Sequence, residues 1–404
     1  MSLGTIVVVG AGQAGGWAAK TLRSEGSTGR IVLVGDEAHP PHERPPLSKA
    51  VLAGTAEPDS THLFKRDAYD ELGLDIRAGV AVAAIERSSR TAVLTSGETI
   101  VYDSLILCTG SAPRKLSLPG ADSPRLHYLR TIDDAILLRP RLAQGAHLIV
   151  IGAGWIGLEV AATARKRGAS VTVIEPLPRI CARAAPPEIS EHLLHLHERH
   201  GVSFRLGVGV AAIEDTADAV VVTLSDGTSV RGDAAVAGIG IMPNVAVAQA
   251  AGLEIDNGII VDERTQTSDP CVFAAGDVAN MPLGCLGARI RLESWANAQN
   301  QAIVAAKAAL GKEARYDELP WFWSDQYDLN LQMLGVPARW SEPVVRGVLG
   351  IGSFTLFYLE GENIAGVVAA NAPRELRAAK RLMQQRKAVR AEDLANPATN
   401  LAKL

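Results

Sequence analysis

Short apolar runs rich in β-branched residues alternate with alanine-rich and charged segments along most of the chain. The run TIVVVG is followed by a helical pattern and then by RIVLVG, which predicts a strand–helix–strand unit. The same order returns in HLIVIG, GLEVAATARKRG and SVTVIE. Because strands that alternate with helices form parallel sheets, the pattern predicts an α/β chain with two Rossmann-like dinucleotide-binding domains.

Each of these units is followed by runs that alternate apolar and polar residues between turn-like breaks. They read VAVAAIERS, TAVLTSG and ETIVYDSLILCTG after the first unit, and VSFRLGVGVAAIE, AVVVTLSDG and TSVRGDAAVAGIG after the second. This alternation predicts a small antiparallel insertion that returns to each parallel sheet. After Pro320, the segment WFWSDQYDLNLQMLG and two β-like runs at 344–349 and 353–359 predict a C-terminal α+β domain. We expect a discontinuous first domain at 1–112 and 241–319, a second at 113–240 and a third at 320–404.

Composition narrows the class of protein. The 404 residues are 47% hydrophobic and 21% charged, which is typical of a folded globular chain rather than a disordered one. A net charge of -4 supplies no strongly basic field for nucleic acid. The sequence has no apolar run long enough to span a bilayer and no basic leader before TIVVVG, so we expect a cytoplasmic protein.

Two GxGxxG motifs follow the first strands of the two units, at Gly10, Gly12 and Gly15 and at Gly152, Gly154 and Gly157. In such a motif the first glycine permits the tight turn, the second lets a diphosphate approach the backbone, and the third allows close helix–strand packing. Asp36 and Glu175 stand where a carboxylate binds the ribose. Glu175 would repel the extra phosphate of NADPH and favours NADH. The motifs predict FAD at the first turn and NADH at the second; the alternative, a glycine-rich surface turn, fits this context poorly.

Two further features bear on the chemistry. Asp277 in CVFAAGD follows an apolar strand, where it either accepts a hydrogen bond from the flavin ribityl chain or caps a helix. The four cysteines, Cys108, Cys181, Cys271 and Cys285, form neither a CxxC pair nor a metal-ligand cluster. We therefore predict buried thiols, with no disulfide framework and no metal site.

The motifs GAGQAG, ERPPLSK, LILCTG, GAGWIGLE, AAGD and PWFWSDQYD together resemble those of the oxygenase-coupled ferredoxin reductases, and the resemblance covers almost the whole chain. The family has the glutathione-reductase fold without its redox-active disulfide, and ERPPLSK likewise contains no cysteine. The resemblance implies an FAD-dependent enzyme that takes a hydride from NADH. Single electrons then pass to a [2Fe-2S] ferredoxin that serves an aromatic-ring dioxygenase or a cytochrome P450.

Site residues follow from the same resemblance. The implied FAD contacts are Gly10, Gly12, Ala14, Gly15, Asp36, Arg44, Lys49, Val82, Thr109, Gly110, Arg130, Gly276, Asp277 and Trp295. The implied NADH contacts are Gly152, Gly154, Ile156, Gly157, Glu159, Glu175, Arg183 and Gly240. Lys49 and Glu159, if paired beside the flavin, would tune its charge. The alternatives are a solvated loop for Arg44 and Lys49, and for Glu159 an interaction with the helix dipole in the first turn of its helix.

The partner and the electron exit are less constrained by the sequence. A predicted helix and its extension carry the basic residues Arg374, Arg377, Arg381, Arg386, Lys387 and Arg390. They form either a docking patch for an acidic ferredoxin or an ordinary solvated face. Trp321 and Trp323 either cover the flavin or line the electron exit, or they belong to the core or to a domain interface. Alternative functions are a rubredoxin or monodehydroascorbate reductase and an NADH-sensing flavoprotein similar to apoptosis-inducing factor.

Overall fold

The computed structural model of the chain describes residues 4–284, 287–336 and 341–404 and contains two compact units. The first comprises the described residues of Met1–Arg44, Pro58–Ala112 and Met242–Trp321; the second comprises those of Pro45–Glu57, Pro113–Ile241 and Phe322–Leu404. The segment Pro45–Glu57, which contains most of ERPPLSK, thus packs within the second unit although it lies in the range 1–112. The three domain boundaries remain predictions.

The strands are β1 (Ile6–Val9), β2 (Ile31–Gly35), β3 (Asp75–Ala78), β4 (Val82–Glu86), β5 (Thr91–Leu94), β6 (Thr99–Val101), β7 (Ser104–Leu107), β8 (Ser111–Pro113), β9 (Leu126–His127), β10 (His147–Ile151), β11 (Ser170–Glu175), β12 (Val202–Leu206), β13 (Val210–Asp215), β14 (Val220–Leu224), β15 (Ser229–Gly232), β16 (Ala234–Ala237), β17 (Ile241–Pro243), β18 (Ile259–Ile260), β19 (Val272–Ala274), β20 (Ala279–Leu283), β21 (Ala288–Ile290), β22 (Trp321–Gln326), β23 (Leu329–Gly335), β24 (Val344–Val348), β25 (Ile351–Glu360) and β26 (Asn363–Ala370). The helices are α1 (Gln13–Ser24), α2 (Ala50–Ala53), α3 (Arg66–Glu71), α4 (Ile132–Leu138), α5 (Trp155–Lys166), α6 (Pro187–Arg199), α7 (Ala246–Ala250), α8 (Trp295–Ala309), α9 (Pro373–Gln384) and α10 (Ala391–Ala395). Short 3-10 helices occupy Pro45–Ser48, Pro58–Thr61, Arg139–Leu142 and Leu401–Lys403.

The first unit contains a parallel sheet in the order β19-β7-β1-β2-β3. Because side chains alternate across a strand, β1 buries Ile6 and Val8 in a core with α1 and α8, and Val7 in a core with β4–β6 on the other face. The strands β4, β5 and β6 pair antiparallel, as their alternating pattern predicts. Both faces of the sheet are thus covered, which explains its continuous apolar strands.

The second unit repeats this plan with a sheet in the order β12-β11-β10-β16-β9. Leu148 and Val150 face a core with α5 and α6, whereas Ile149 and Ile151 face the antiparallel strands β13–β15. A five-stranded sheet in the order β22-β23-β26-β25-β24 contributes Leu331 and other residues to the α5–α6 core. The predicted α/β fold with two Rossmann-like sheets and a C-terminal α+β portion is confirmed.

The basic helix is shorter than its charge pattern indicates. Helix α9 ends at Gln384, and Arg386 has a left-handed backbone with φ of 48°. Arg386, Lys387 and Arg390 therefore lie outside the helix that carries Arg374, Arg377 and Arg381.

Candidate functional site

The first glycine motif forms the turn between β1 and α1. A β-carbon added at Gly10 would lie 2.1 Å from the carbonyl oxygen of Cys108, and one added at Gly15 would lie 1.8 Å from that of Gly10. A β-carbon added at Gly12 would lie 3.9 Å from an Arg44 guanidinium nitrogen, which is ordinary van der Waals separation. Gly12, which precedes α1, has no side chain with which to cap the helix. The outer glycines therefore serve backbone packing, and the middle one leaves open space at a helix N-terminus that suits a diphosphate.

Charged side chains lie beside this turn. Arg44 donates a hydrogen bond of 2.6 Å from its guanidinium to the Glu37 carboxylate, which holds it next to Gly12. This pairing argues against the solvated-loop alternative for Arg44. Asp36 follows β2 directly and is exposed, so its carboxylate is open to a ligand. The arrangement combines a cation for phosphate with a carboxylate for ribose hydroxyls.

Several predicted residues lie after adjacent parallel strands of the first unit. Thr109 donates to the Asn244 carbonyl at 2.8 Å just beyond β7, and Ser111 donates to Asp277 at 2.9 Å. Asp277 lies between β19 and β20, so no helix begins there and the helix-capping alternative is wrong. A β-carbon at Gly276 would lie 3.1 Å from that of Ala14 in α1. These contacts gather the predicted residues at the carboxyl edge of the sheet, where α/β folds bind ligands.

The remaining predicted FAD contacts are less closely placed. Val82 begins β4, Trp295 begins α8, and both are partly buried in the first unit. Gly110, which has φ of 62°, accepts a hydrogen bond from the Asn244 backbone. Lys49 and Arg130 belong to the second unit.

The second glycine motif repeats the first at the turn between β10 and α5. Added β-carbons would lie 2.5 Å from the Gly238 carbonyl oxygen at Gly152 and 2.1 Å from the Gly152 carbonyl oxygen at Gly157. A β-carbon added at Gly154 would lie 3.9 Å from the Gly238 carbonyl oxygen, and Gly154 itself has no side chain with which to cap α5. The chain therefore contains two cradles of the same kind.

The Glu175 carboxylate is directed onto this second turn from the end of β11. It accepts hydrogen bonds from the backbone N–H groups of Ala153 at 2.8 Å and Leu177 at 3.0 Å. Nearby, an Arg183 guanidinium nitrogen lies 3.8 Å from a β-carbon built at Gly240, so the structure brings these two predicted residues together. Ile156, in the first turn of α5, is 46% exposed. An acidic side chain held at this turn can bind a ribose 2′-hydroxyl and would repel the 2′-phosphate of NADPH.

The structure also brings Lys49 and Glu159 together. The Lys49 ammonium nitrogen lies 2.7 Å from Glu159 Oε2, which also accepts a hydrogen bond of 2.5 Å from Ser48. Ser324 donates to Oε1 at 2.6 Å. Since α5 begins at Trp155, Glu159 lies beyond the first turn, and the helix-dipole alternative is wrong. This buried carboxylate is held by one cation and two hydroxyls.

Ser48 and Ser324 are absent from the residues implied by the sequence. Ser48 stands next to Lys49 in ERPPLSK, and Ser324 and Gln326 alternate in PWFWSDQYD. Residues two apart in a strand share one face, so the polar run after WFW places Ser324 and Gln326 on the same side of the strand, and this spacing was the available signal. In β22, Ser324 and Gln326 are buried, whereas Asp325 is exposed and accepts from the indole of Trp323 at 3.1 Å. Trp321 and Trp323 thus lie on the opposite side of the strand from Ser324.

The cysteines do not suit disulfide chemistry. Burial raises the pKa of both the Cys108 and Cys181 thiols to about 12, so these groups are protonated at neutral pH and poor nucleophiles. Cys271 is partly buried and unpaired, and Cys285 lies outside the described residues. Across residues 4–284, 287–336 and 341–404, no group of His, Cys, Asp and Glu side chains is arranged to hold a metal ion. Within those ranges, no helix is long and apolar enough to cross a membrane.

Two nucleotide cradles on two Rossmann-like sheets define a dinucleotide-dependent oxidoreductase. The chain belongs to the pyridine nucleotide-disulphide oxidoreductase family, whose model matches residues 4–302, and a Reductase C-terminal model matches residues 321–404. The resemblance seen in the motifs is confirmed.

Similar proteins extend over nearly the whole chain. Rhodocoxin reductase of Rhodococcus erythropolis is 43% identical, with 94% of this chain and 89% of that protein covered. The anthranilate 1,2-dioxygenase system ferredoxin–NAD(+) reductase component of Burkholderia cepacia is 42% identical, with 99% of each covered. The crystal structure of the covalent putidaredoxin reductase–putidaredoxin complex matches with a TM-score of 0.95 at 39% identity, covering 99% of this chain and 97% of that one.

Proposed function

We propose that this protein is an NADH-dependent ferredoxin reductase that uses FAD to pass electrons to a [2Fe-2S] ferredoxin, which in turn serves an aromatic-ring dioxygenase or a cytochrome P450. The observation that carries the proposal is the match, over 99% of both lengths, to a ferredoxin–NAD(+) reductase component. The putidaredoxin complex supports a ferredoxin as acceptor. We further propose that the protein acts in the cytoplasm, where NADH is available.

The two cradles support the assignment of the cofactors. Each leaves open space at its middle glycine and an uncapped helix N-terminus, which fits the diphosphate of a dinucleotide. FAD would contact Gly10, Gly12, Ala14, Gly15, Asp36, Arg44, Val82, Thr109, Gly110, Gly276, Asp277 and Trp295, and the family resemblance adds Lys49 and Arg130. NADH would contact Gly152, Gly154, Ile156, Gly157, Glu159, Glu175, Arg183 and Gly240.

The side chains bind, orient and tune rather than exchange protons. Bound FAD would supply the redox chemistry that joins NADH, a two-electron donor, to a one-electron acceptor. Arg44 would neutralise the FAD diphosphate, and Glu175 would select the unphosphorylated ribose. Lys49 and Glu159 would set the charge beside the reacting rings, with the Glu159 carboxylate orienting the ammonium group at 2.7 Å.

Stopped-flow absorbance under anaerobic conditions tests this function. The purified flavoprotein is mixed with NADH, and the reduced protein is then mixed with [2Fe-2S] ferredoxins, a rubredoxin or monodehydroascorbate in parallel. We expect fast flavin reduction and fast re-oxidation by a [2Fe-2S] ferredoxin. Reduction followed by transfer only to rubredoxin or monodehydroascorbate would replace the proposal with that alternative. Slow re-oxidation by every acceptor would favour an NADH-sensing protein.

Glu175→Ala should narrow the preference for NADH over NADPH. Removing one negative charge near the 2′-phosphate should change the ratio of kcat/KM values by about tenfold, or about 1.4 kcal/mol. Glu175→Gln is the matched control, because it removes the charge while keeping an oxygen that can accept from Ala153 or Leu177. Steady-state kinetics with both nucleotides measures the ratio. An unchanged ratio in both variants would remove the assigned role of Glu175.

The exposed arginines of α9 are candidates for ferredoxin docking. Arg374 and Arg377 are exposed, whereas Arg381 donates to the Leu401 carbonyl at 3.1 Å. These three arginines and Arg346 line a cavity of about 640 Å³. Arg346 donates to the carbonyls of Leu394, Asn396, Pro397 and Thr399. Arg346 and Arg381 therefore hold the C-terminal segment, and Arg374 and Arg377 are the charges best placed to attract an acidic partner.

The double variant Arg374→Glu/Arg377→Glu should lower kcat/KM for ferredoxin by about tenfold at low ionic strength, because surface charges accelerate encounter. Reduction of ferricyanide by NADH should be unchanged. The variant Arg205→Glu/Arg231→Glu is the matched control, since it reverses two exposed arginines on β12 and β15. Equal losses of ferredoxin activity in both double variants would show that overall charge, not the α9 surface, is responsible.

A further inference from the structure

Five polar side chains form a buried cluster around the Glu159 carboxylate in the second unit. Ser48, Glu159, His197, Ser324 and Gln326 are between 0% and 3% exposed. Burying so many polar groups is unfavourable unless each is hydrogen-bonded, and satisfied networks of this kind fix one arrangement of their members. The cluster therefore requires an explanation beyond packing.

The hydrogen bonds of this cluster run in one direction, towards Glu159. His197 Nε2 lies 2.7 Å from Gln326 Oε1, the Gln326 amide nitrogen donates to Ser324 Oγ at 3.0 Å, and Ser324 donates to Glu159 Oε1 at 2.6 Å. An amide oxygen only accepts and an amide nitrogen only donates. His197 must then carry its proton on Nε2, and the Ser324 hydrogen must point at Glu159.

His197 is well suited to begin this chain as a neutral donor. Burial lowers its pKa to about 4, an effect partly opposed by the hydrogen bond with Gln326 and reinforced by His200. Its Nδ1 lies 3.4 Å from the hydroxyl of Tyr327, which suits an unprotonated nitrogen. Since the imidazole stays uncharged over the working pH range, the direction of the hydrogen bonds does not reverse.

We infer that Ser324, fixed by Gln326 and His197, is a positioning residue that holds the Glu159 carboxylate in the orientation needed to bind Lys49. This inference rests on the proposed function, in which Glu159 and Lys49 act beside the reacting rings. Ser324 holds Oε1, while Ser48 and Lys49 bind Oε2. Contacts at both oxygens prevent rotation of the carboxylate. Strand β22, in the C-terminal portion of the chain, thus supports the residue pair that acts in flavin reduction by NADH.

Ser324→Ala should slow the limiting rate of flavin reduction by NADH about tenfold, because one hydrogen bond to a charged group is lost. The apparent Kd for NADH should change less than about twofold, since binding contacts at the second turn remain. Ser324→Thr keeps the hydroxyl and should restore most of the rate. Thr355→Val is the matched control, because that hydroxyl is equally buried and makes no hydrogen bond within the described part of the chain.

A double-mutant cycle separates positioning from general structural damage. In a Glu159→Gln background, Ser324→Ala should produce little further loss, since Ser324 acts through the Glu159 carboxylate. If the rate of the double variant falls by the product of the two single-variant losses, Ser324 acts independently of Glu159 and the inference is overturned. If wild-type protein and Thr355→Val are themselves not reduced by NADH, the proposed function fails instead. An unchanged rate in Ser324→Ala, alongside fast wild-type reduction, defeats only the inference.

The direction of the hydrogen bonds from His197 to Glu159 can be tested without turnover by ¹⁵N NMR of the flavoprotein labelled with ¹⁵N-histidine. The His197 signals are assigned as those that disappear in His197→Gln. We expect a neutral imidazole protonated on Nε2 at pH 7. A neutral imidazole protonated on Nδ1 would overturn the inference, even if Ser324→Ala fails to fold.

Discussion

Gly154→Val should yield a yellow protein that retains FAD but is reduced by NADH at least about 100-fold less efficiently. The added side chain fills the space where a diphosphate would meet the N-terminus of α5. Loss of two charge-assisted hydrogen bonds, at about 1.5–3 kcal/mol each, accounts for a change of this size in kcat/KM. Gly154 has a negative φ and no close neighbour, so the fold should survive.

Gly12→Val is the matched partner of this variant, because Gly12 occupies the same position in the first cradle. It should fold without FAD, as measured by the ratio of flavin to protein absorbance. Gly157→Val should instead prevent folding, since its β-carbon would meet the Gly152 carbonyl. If Gly154→Val loses FAD while Gly12→Val keeps it, the assignment of the two cofactors to the two turns must be exchanged.

His197→Gln should make the free energy of unfolding less sensitive to acid. The unfolded chain protonates this imidazole below a pKa of 6.5, and the folded chain only below about 4. Protonation therefore favours the unfolded state as the pH falls through this window, and stability rises with pH across it. Between pH 7 and pH 5 this one group costs the wild type about 2 kcal/mol of stability.

Urea unfolding of both proteins at pH 7 and pH 5, followed by tryptophan fluorescence, measures this difference. Glutamine retains an amide that can donate to Gln326 but has no group that titrates here. Other buried histidines contribute equally to wild type and variant, so the quantity to compare is the change with pH. An identical pH dependence in the two proteins would contradict the lowered pKa of His197.

Much of the fold follows from local sequence signals, because strand runs and glycine turns are encoded by adjacent residues. Gly10 and Gly152 adopt positive φ angles of 104° and 98°, which residues with a side chain rarely adopt. Glycine is therefore required at both positions, and the two turns can be predicted from the sequence. The insertions and the C-terminal strands are likewise visible as alternation of period two.

The pair of Lys49 and Glu159 could not be predicted from such local signals. Lys49 and Glu159 are joined by folding across more than a hundred positions, and only the family resemblance suggested their pairing. Ser324 lies still further along the chain, in a strand whose aromatic residues dominate its appearance. The charge pattern also does not mark the end of α9, because the charges continue past Gln384 while Arg386 turns the backbone out of the helix.

The position of Ser324 in β22 has a consequence for protein engineering. Exchanging residues 321–404 between reductases is an obvious way to transfer partner specificity, since that range corresponds to one family model. The same exchange would replace Ser324, whose hydroxyl donates to Glu159, and Gln326, which donates to that hydroxyl. A chimera should therefore keep Ser324 and Gln326, or also exchange His197 in α6, if its nicotinamide half-reaction is to remain intact.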